Sequence, residues 1–170
     1  MSGAHDFADL AQELAMEVAP AEAILAPGVV DAYLAGGRSQ RDLFAKTTNE
    51  YGGFGGLGLT TLFPSIVGAI ALAGPAILAV LNSTTVKDGV GVLQTLLKLR
   101  EANSKATPDD AAPAPAALLA AASALTAELD KLGVDTEKRD AIAYRTLIVL
   151  LSRPAAATPL VTALASAGDQ

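Results

Sequence analysis

The sequence predicts an all-α fold, a small helical bundle of amphipathic helices around or following one strongly apolar, proline-interrupted helical segment. Three observations support this prediction. Apolar residues recur at intervals of three and four along much of the chain, which is the period of one helix face. Neither the alternation that indicates strands nor an internal repeat is found. One stretch, residues 62–81, is apolar on every side.

The first region, residues 1–50, is acidic and helical, with eight carboxylates against three basic side chains. Four apolar residues spaced by three and four predict an amphipathic helix over 5–18. These residues are Phe7, Leu10, Leu14 and Val18. We expect a second helix over 28–35, stopped by two glycines at 36–37, and a third over 39–46.

Residues 51–61 form a glycine-rich connector, which we interpret as a hinge. Its glycines are Gly52, Gly53, Gly55, Gly56 and Gly58. The run formally matches the G-x-G-x-x-G pattern, but a dinucleotide site needs a buried strand before the glycines and an acidic residue about twenty positions later. Residues 46–50 are polar, and no acidic residue follows until Asp88. The connector is therefore not predicted to bind a nucleotide cofactor.

The third region, residues 62–82, lies within 36 consecutive residues, 51–86, that contain no Asp, Glu, Lys, Arg or His. Such a run is unexpected in a chain that is 18% charged. The segment matches the roughly 20 apolar residues that cross the hydrocarbon core of a bilayer. A helix that is apolar all round is either a membrane span or the central helix of a bundle.

Two prolines shape the predicted path of this apolar segment. Pro64 is compatible with the first turn of a helix, where its missing N–H costs nothing. Pro75 follows Gly74 inside the segment and is expected to divide it into halves over 64–73 and 75–82. We assign Gly74 and Pro75 as a second hinge.

Residues 86–170 predict a C-terminal helical bundle with a Pro/Ala linker at 103–115. Periodic apolar residues predict its helices, which cover 86–102, 116–132 and 136–152. The short loop at 133–135 makes the last two helices an antiparallel hairpin. Pro154 is expected to end the second of them, and Thr158 with Pro159 to open a short final helix.

Composition excludes several classes of functional site. The chain has no Cys and one His, His5, which excludes thiolate chemistry, disulfide scaffolds and multi-histidine metal sites. A net charge of −6 with 12 Lys and Arg argues against a nucleic-acid partner. No Ser-centred nucleophile motif or buried pair of carboxylates is apparent. We predict no catalytic residue, no metal, no cofactor and no enzymatic activity.

The first functional hypothesis is a membrane-associated helical protein that anchors, self-associates or permeabilises through residues 62–82. In composition, residues 52–74 resemble fusion peptides and pore-forming hairpins. A small-xxx-small stripe, Ser65, Ala69, Ala73 and Ala76, would let helices approach closely in lipid. The residues assigned to membrane contact or self-association are Phe63, Ser65, Ile66, Ala69, Ile70, Ala73, Ala76 and Leu78.

The second hypothesis is a soluble all-α adaptor or assembly subunit with 62–82 as its buried central hairpin. The amphipathic helices need an apolar partner, and this segment would supply it. The expected partner is a lipid bilayer on the first hypothesis and a helical protein on the second, and a homo-oligomer is compatible with both. Because no signal peptide is evident, we expect cytoplasmic synthesis, followed by the inner face or interior of the cytoplasmic membrane on the first hypothesis.

Overall fold

A computed structural model describes residues 3–44, 62–83, six positions between 90 and 98, and 116–169. These residues contain helices and no strand, which confirms the predicted all-α class. Eight α-helices with defined ends occur among them. They are α1 Gly3–Val18, α2 Ala26–Ala35, α3 Gly37–Phe44, α4 Leu62–Leu72, α5 Gly74–Leu81, α6 Ala116–Lys131, α7 Thr136–Ser152 and α8 Pro154–Gly168.

The first helix buries the stripe that its sequence predicts. Leu10, Leu14 and Val18 are buried, and Phe7 is partly buried against the same core. A short 3₁₀ turn, Pro20–Glu22, then leads towards α2. The spacing of apolar residues in α1 therefore identified its inward face correctly.

The next two helices each begin two residues earlier than predicted. Pro27 lies in the first turn of α2 rather than before it, because the first N–H groups of a helix have no intrahelical partner. Gly36 separates α2 from α3, and Gly37 begins α3; their φ angles of +67° and +56° are left-handed, a backbone that glycine adopts without strain. The predicted last residues of α3, 45 and 46, lie outside the described residues.

The apolar segment is broken at the predicted hinge. The chain bends by 71° between α4 and α5, with Ala73 between the two helices. Pro75 occupies the first turn of α5, where its ring ends the preceding helix and its missing N–H costs no hydrogen bond. We call α4 and α5 together the apolar hairpin.

The predicted helix 86–102 is described at only six positions, 90, 91, 93, 94, 97 and 98, all of which are helical. Leu93 among them is fully buried in the core. The linker at 103–115 and the connector at 51–61 lie outside the described residues, and with them Gly52, Gly53, Gly55, Gly56 and Gly58.

Helices α6 and α7 pack against each other as the predicted hairpin. Gly133, with φ +80°, ends α6, and the N–H of Val134 donates to the carbonyl of Leu129 over 3.0 Å. Asp135 caps α7 by accepting from the N–H of Glu137. Leu132 departs from the prediction, since α6 ends one residue earlier and this side chain is 36% exposed.

The start of the last helix differs from the prediction. The helix 136–152 ends before Pro154 as predicted, but the final helix does not open at Thr158 and Pro159, because α8 begins at Pro154 and continues through Pro159. Pro154 occupies the first turn, whereas Pro159 removes one helix hydrogen bond. The hydroxyl of Thr158 donates to the carbonyl of Pro154 over 2.9 Å beside this gap. The final helix is thereby long enough to pack along the apolar hairpin.

The apolar hairpin lies at the centre of the bundle. Helix α4 packs against α2, α6 and α8, and α5 packs against α6 and α8. Nine consecutive residues of α4, 63–71, are buried. The amphipathic helices are therefore arranged around the apolar segment, which decides between the two arrangements that the sequence allowed.

Candidate functional site

The residues predicted for membrane contact or self-association lie mostly inside the fold. Six are buried, namely Phe63, Ser65, Ile66, Ala69, Ile70 and Ala73. The other two, Ala76 and Leu78 on α5, are partly buried against the same core. In this conformation the predicted surface is a contact between helices of one chain.

Small residues let the apolar hairpin approach α8 closely. A Cβ placed on Gly74 would lie 2.8 Å from the Cβ of Ala165, closer than real Cβ atoms approach. On the facing helix, a Cβ placed on Gly168 would lie 3.4 Å from the Cβ of Ala71. The absence of a side chain at Gly74 therefore permits the close packing of the hinge on α8.

Aromatic side chains cover a second side of α4. A Cβ on Gly68 would lie 3.2 Å from Cζ of Phe44, the last residue of α3. The Phe44 ring meets Tyr33 of α2 edge to face, with centroids 6.2 Å apart. Burial raises the pKa of the Tyr33 hydroxyl, and a hydrogen bond with the Gln40 side chain partly opposes that rise.

The N-terminal end of the apolar hairpin is held by a distant carboxylate. The N–H of Phe63 donates to Oε2 of Glu22 over 3.0 Å, although the two residues are 41 positions apart. Phe63 is fully buried, and Pro64 has no N–H, so Glu22 satisfies a donor that would otherwise be costly to bury. Sequence reasoning missed this contact, because no local pattern pairs Glu22 with Phe63.

The bend of the apolar hairpin reaches the surface. Leu72 is 53% exposed, and Pro75 is exposed beside it, whereas Ala73 and Gly74 between them are buried. We call Leu72 and Pro75 the elbow. Apart from these two residues and Ala79, the residues of α4 and α5 are buried or partly buried.

An open groove of about 480 Å³ adjoins the Glu22 end of the hairpin. Its apolar lining includes Val18, Leu62 and Ile142. The charged side chains that line it are Glu17, Glu22, Glu137, Lys138 and Arg145. Charges of both signs leave the groove without a single-sign field that would select an ionic ligand.

Two ion pairs hold the acidic face of α1 against the C-terminal helices. Nη1 of Arg153 donates to Oε2 of Glu13 over 2.8 Å, and Arg145 lies 3.9 Å from Glu17. The hydrogen bond and charge of Glu13 raise the pKa of the Arg153 guanidinium above its usual range. Both pairs are at least partly exposed, so each adds little to stability.

Within the described ranges, no group of three His, Asp or Glu side chains is arranged to hold a metal ion. No single helix there is both long and apolar enough to cross a membrane. Two pairs of consecutive helices reach that length and hydropathy only when taken together. One pair is the apolar hairpin, bent by 71°, and the other is α7 with α8, bent by 119°. Comparison with protein-family models, curated proteins and solved structures gives no match to this chain.

Proposed function

We propose that this protein is a non-enzymatic, membrane-associated helical bundle that stores an apolar hairpin and inserts it into a bilayer. The proposal rests on one observation, that the apolar hairpin is both uncharged in sequence and buried in the bundle. The hairpin contains no charged residue, and the other helices cover α4 along its length. Burial in the bundle keeps its apolar surface from water until a bilayer replaces the covering helices.

The lengths of the two arms limit how the hairpin can enter lipid. At 1.5 Å per residue, α4 is about 16 Å long and α5 about 12 Å, against about 30 Å for the hydrocarbon core. The bent hairpin would therefore enter one leaflet as a wedge. Spanning would require α4 and α5 to straighten across Gly74 and Pro75. We place this activity at the inner face of the cytoplasmic membrane.

The elbow is suited to a test of this proposal, because it is the exposed bend of the apolar hairpin. Leu72→Glu places a carboxylate where the hairpin would enter lipid, and an aspartate at the centre of a membrane helix costs about 2.5–3.5 kcal/mol. We expect the fraction bound to phosphatidylcholine vesicles to fall about tenfold or more in flotation. Leu72 is exposed, so the folded bundle should tolerate the change.

Met16→Glu is the matched control, since Met16 on α1 is 59% exposed and lies outside the hairpin. It should leave flotation unchanged. Equal losses for both variants would show that general surface charge governs binding. A wild-type chain that never floats would contradict the proposal.

A second candidate function is an adaptor or assembly subunit in which the apolar hairpin remains permanently buried. Two adjacent apolar side chains favour it, because Ile24 is 89% exposed and Leu25 is 62% exposed in the turn before α2. Such a pair is suited to a helical protein partner or a second copy of the chain. On this function, wild type and Leu72→Glu both remain at the bottom of the flotation gradient.

A further inference from the structure

The contact between Glu22 and Phe63 differs from the apolar contacts of the apolar hairpin. The packing of the hairpin on α2, α6 and α8 is largely apolar, and apolar contacts can be exchanged for lipid tails without losing a hydrogen bond. The bond from the Phe63 N–H to the Glu22 carboxylate has no equivalent in hydrocarbon. Releasing α4 into lipid therefore breaks a charge-assisted bond that no lipid tail replaces.

The position of Glu22 makes this bond a connection between two parts of the chain. Glu22 ends the 3₁₀ turn between α1 and α2, whereas Phe63 lies in the first turn of α4. A carboxylate at a helix N-terminus is favoured by the unpaired N–H groups and by the helix dipole. The elbow at the other end of α4 is exposed, so Glu22 holds the end that is more deeply buried.

We propose that Glu22 is a latch, a side chain whose hydrogen bond to the Phe63 N–H keeps the N-terminal end of the apolar hairpin in the bundle. This role in controlling insertion depends on the proposed membrane function. The latch itself can be tested in water without lipid. Its removal should loosen the first turn of α4 before any other helix, because the apolar contacts of the remaining helices are unchanged.

The test is hydrogen exchange on the full chain with Glu22→Ala, Glu22→Gln and Glu17→Ala. Glu22→Ala should speed exchange in the first turn of α4 by about 5- to 30-fold. Glu22→Gln retains an acceptor oxygen and removes only the charge, so its effect should be smaller. Glu17 lines the same groove and lies beside Arg145, which makes Glu17→Ala the matched control, with α4 unchanged.

Unchanged exchange of α4 in Glu22→Ala, or an equal increase in every helix, overturns the latch. Vesicle flotation of the same variants tests its link to function. Faster binding of Glu22→Ala than of wild type supports control of insertion by the latch. If Glu22→Ala speeds exchange in α4 but the protein never floats, the latch is supported and the proposed membrane function is overturned.

Discussion

At the scale of single residues, the buried hydroxyl of Thr146 differs from the exposed hydroxyls of α8 in its hydrogen bonding. Thr146 in α7 has no exposed surface, and its Oγ1 has no hydrogen-bond partner among the residues that the structure describes. In α8, by contrast, Thr158, Thr162 and Ser166 each donate to the carbonyl four residues earlier. An unpaired buried hydroxyl lowers stability, because it loses its water without gaining a partner.

Thr146→Val should therefore stabilise the protein. The substitution keeps the branched shape and removes the unpaired oxygen, which should raise the free energy of unfolding by about 1 kcal/mol. In thermal denaturation this corresponds to a midpoint higher by about 2–4 °C. Thr162→Val, at an exposed position, is the control and should change the midpoint little. A lower midpoint for Thr146→Val would show that the hydroxyl is bonded in solution.

At the scale of elements, local sequence signals located breaks and faces well and helix starts less well. Pro75 divided α4 from α5 as predicted, and Gly133 ended the first helix of the α6–α7 hairpin. The error at Pro159 arose because this proline was interpreted as the start of a helix, whereas α8 begins at Pro154. A proline is tolerated inside the first turn, and tertiary packing can compensate one missing hydrogen bond further along.

The close contact between the hinge and α8 predicts a double-mutant cycle. Gly74→Ala should lower the free energy of unfolding by about 1–3 kcal/mol, because its Cβ would overlap that of Ala165. Adding Ala165→Gly removes the facing Cβ and should recover part of the loss, measured as a positive coupling in denaturant unfolding. Gly28→Ala in α2, where nothing lies within 4 Å, should be neutral or stabilising.

If Gly74→Ala alone were harmless, the approach of α5 to α8 would have to be looser in solution. Additive effects of the two substitutions would point the same way. Either result would contradict the role of Gly74 in the close packing of α5 on α8.

At the scale of the whole molecule, one continuous core predicts cooperative unfolding. Buried side chains from α1, α2 and α4 to α8 belong to a single cluster with the apolar hairpin at its centre. In detergent-free buffer, we expect one thermal transition with the same midpoint by circular dichroism and by calorimetry. Separate transitions for the N-terminal and C-terminal helices would contradict a shared core.

Adding phosphatidylcholine vesicles to that measurement separates the two candidate functions. A bilayer that takes up the hairpin binds the opened chain in preference to the closed bundle, which lowers the midpoint. An adaptor with a permanently buried hairpin keeps its midpoint. The Met16→Glu variant should follow the wild type, and Leu72→Glu should lose the vesicle effect.

The sequence by itself determined the helical class, the uncharged run, the break at Pro75 and the inward face of α1. These follow from side-chain period and from the stereochemistry of proline and glycine, which act over a few residues. Only the tertiary structure decided that the apolar segment lies at the centre, that α8 continues through Pro159 and that Glu22 holds Phe63. These depend on which faces meet across many positions, and no local pattern encodes that pairing.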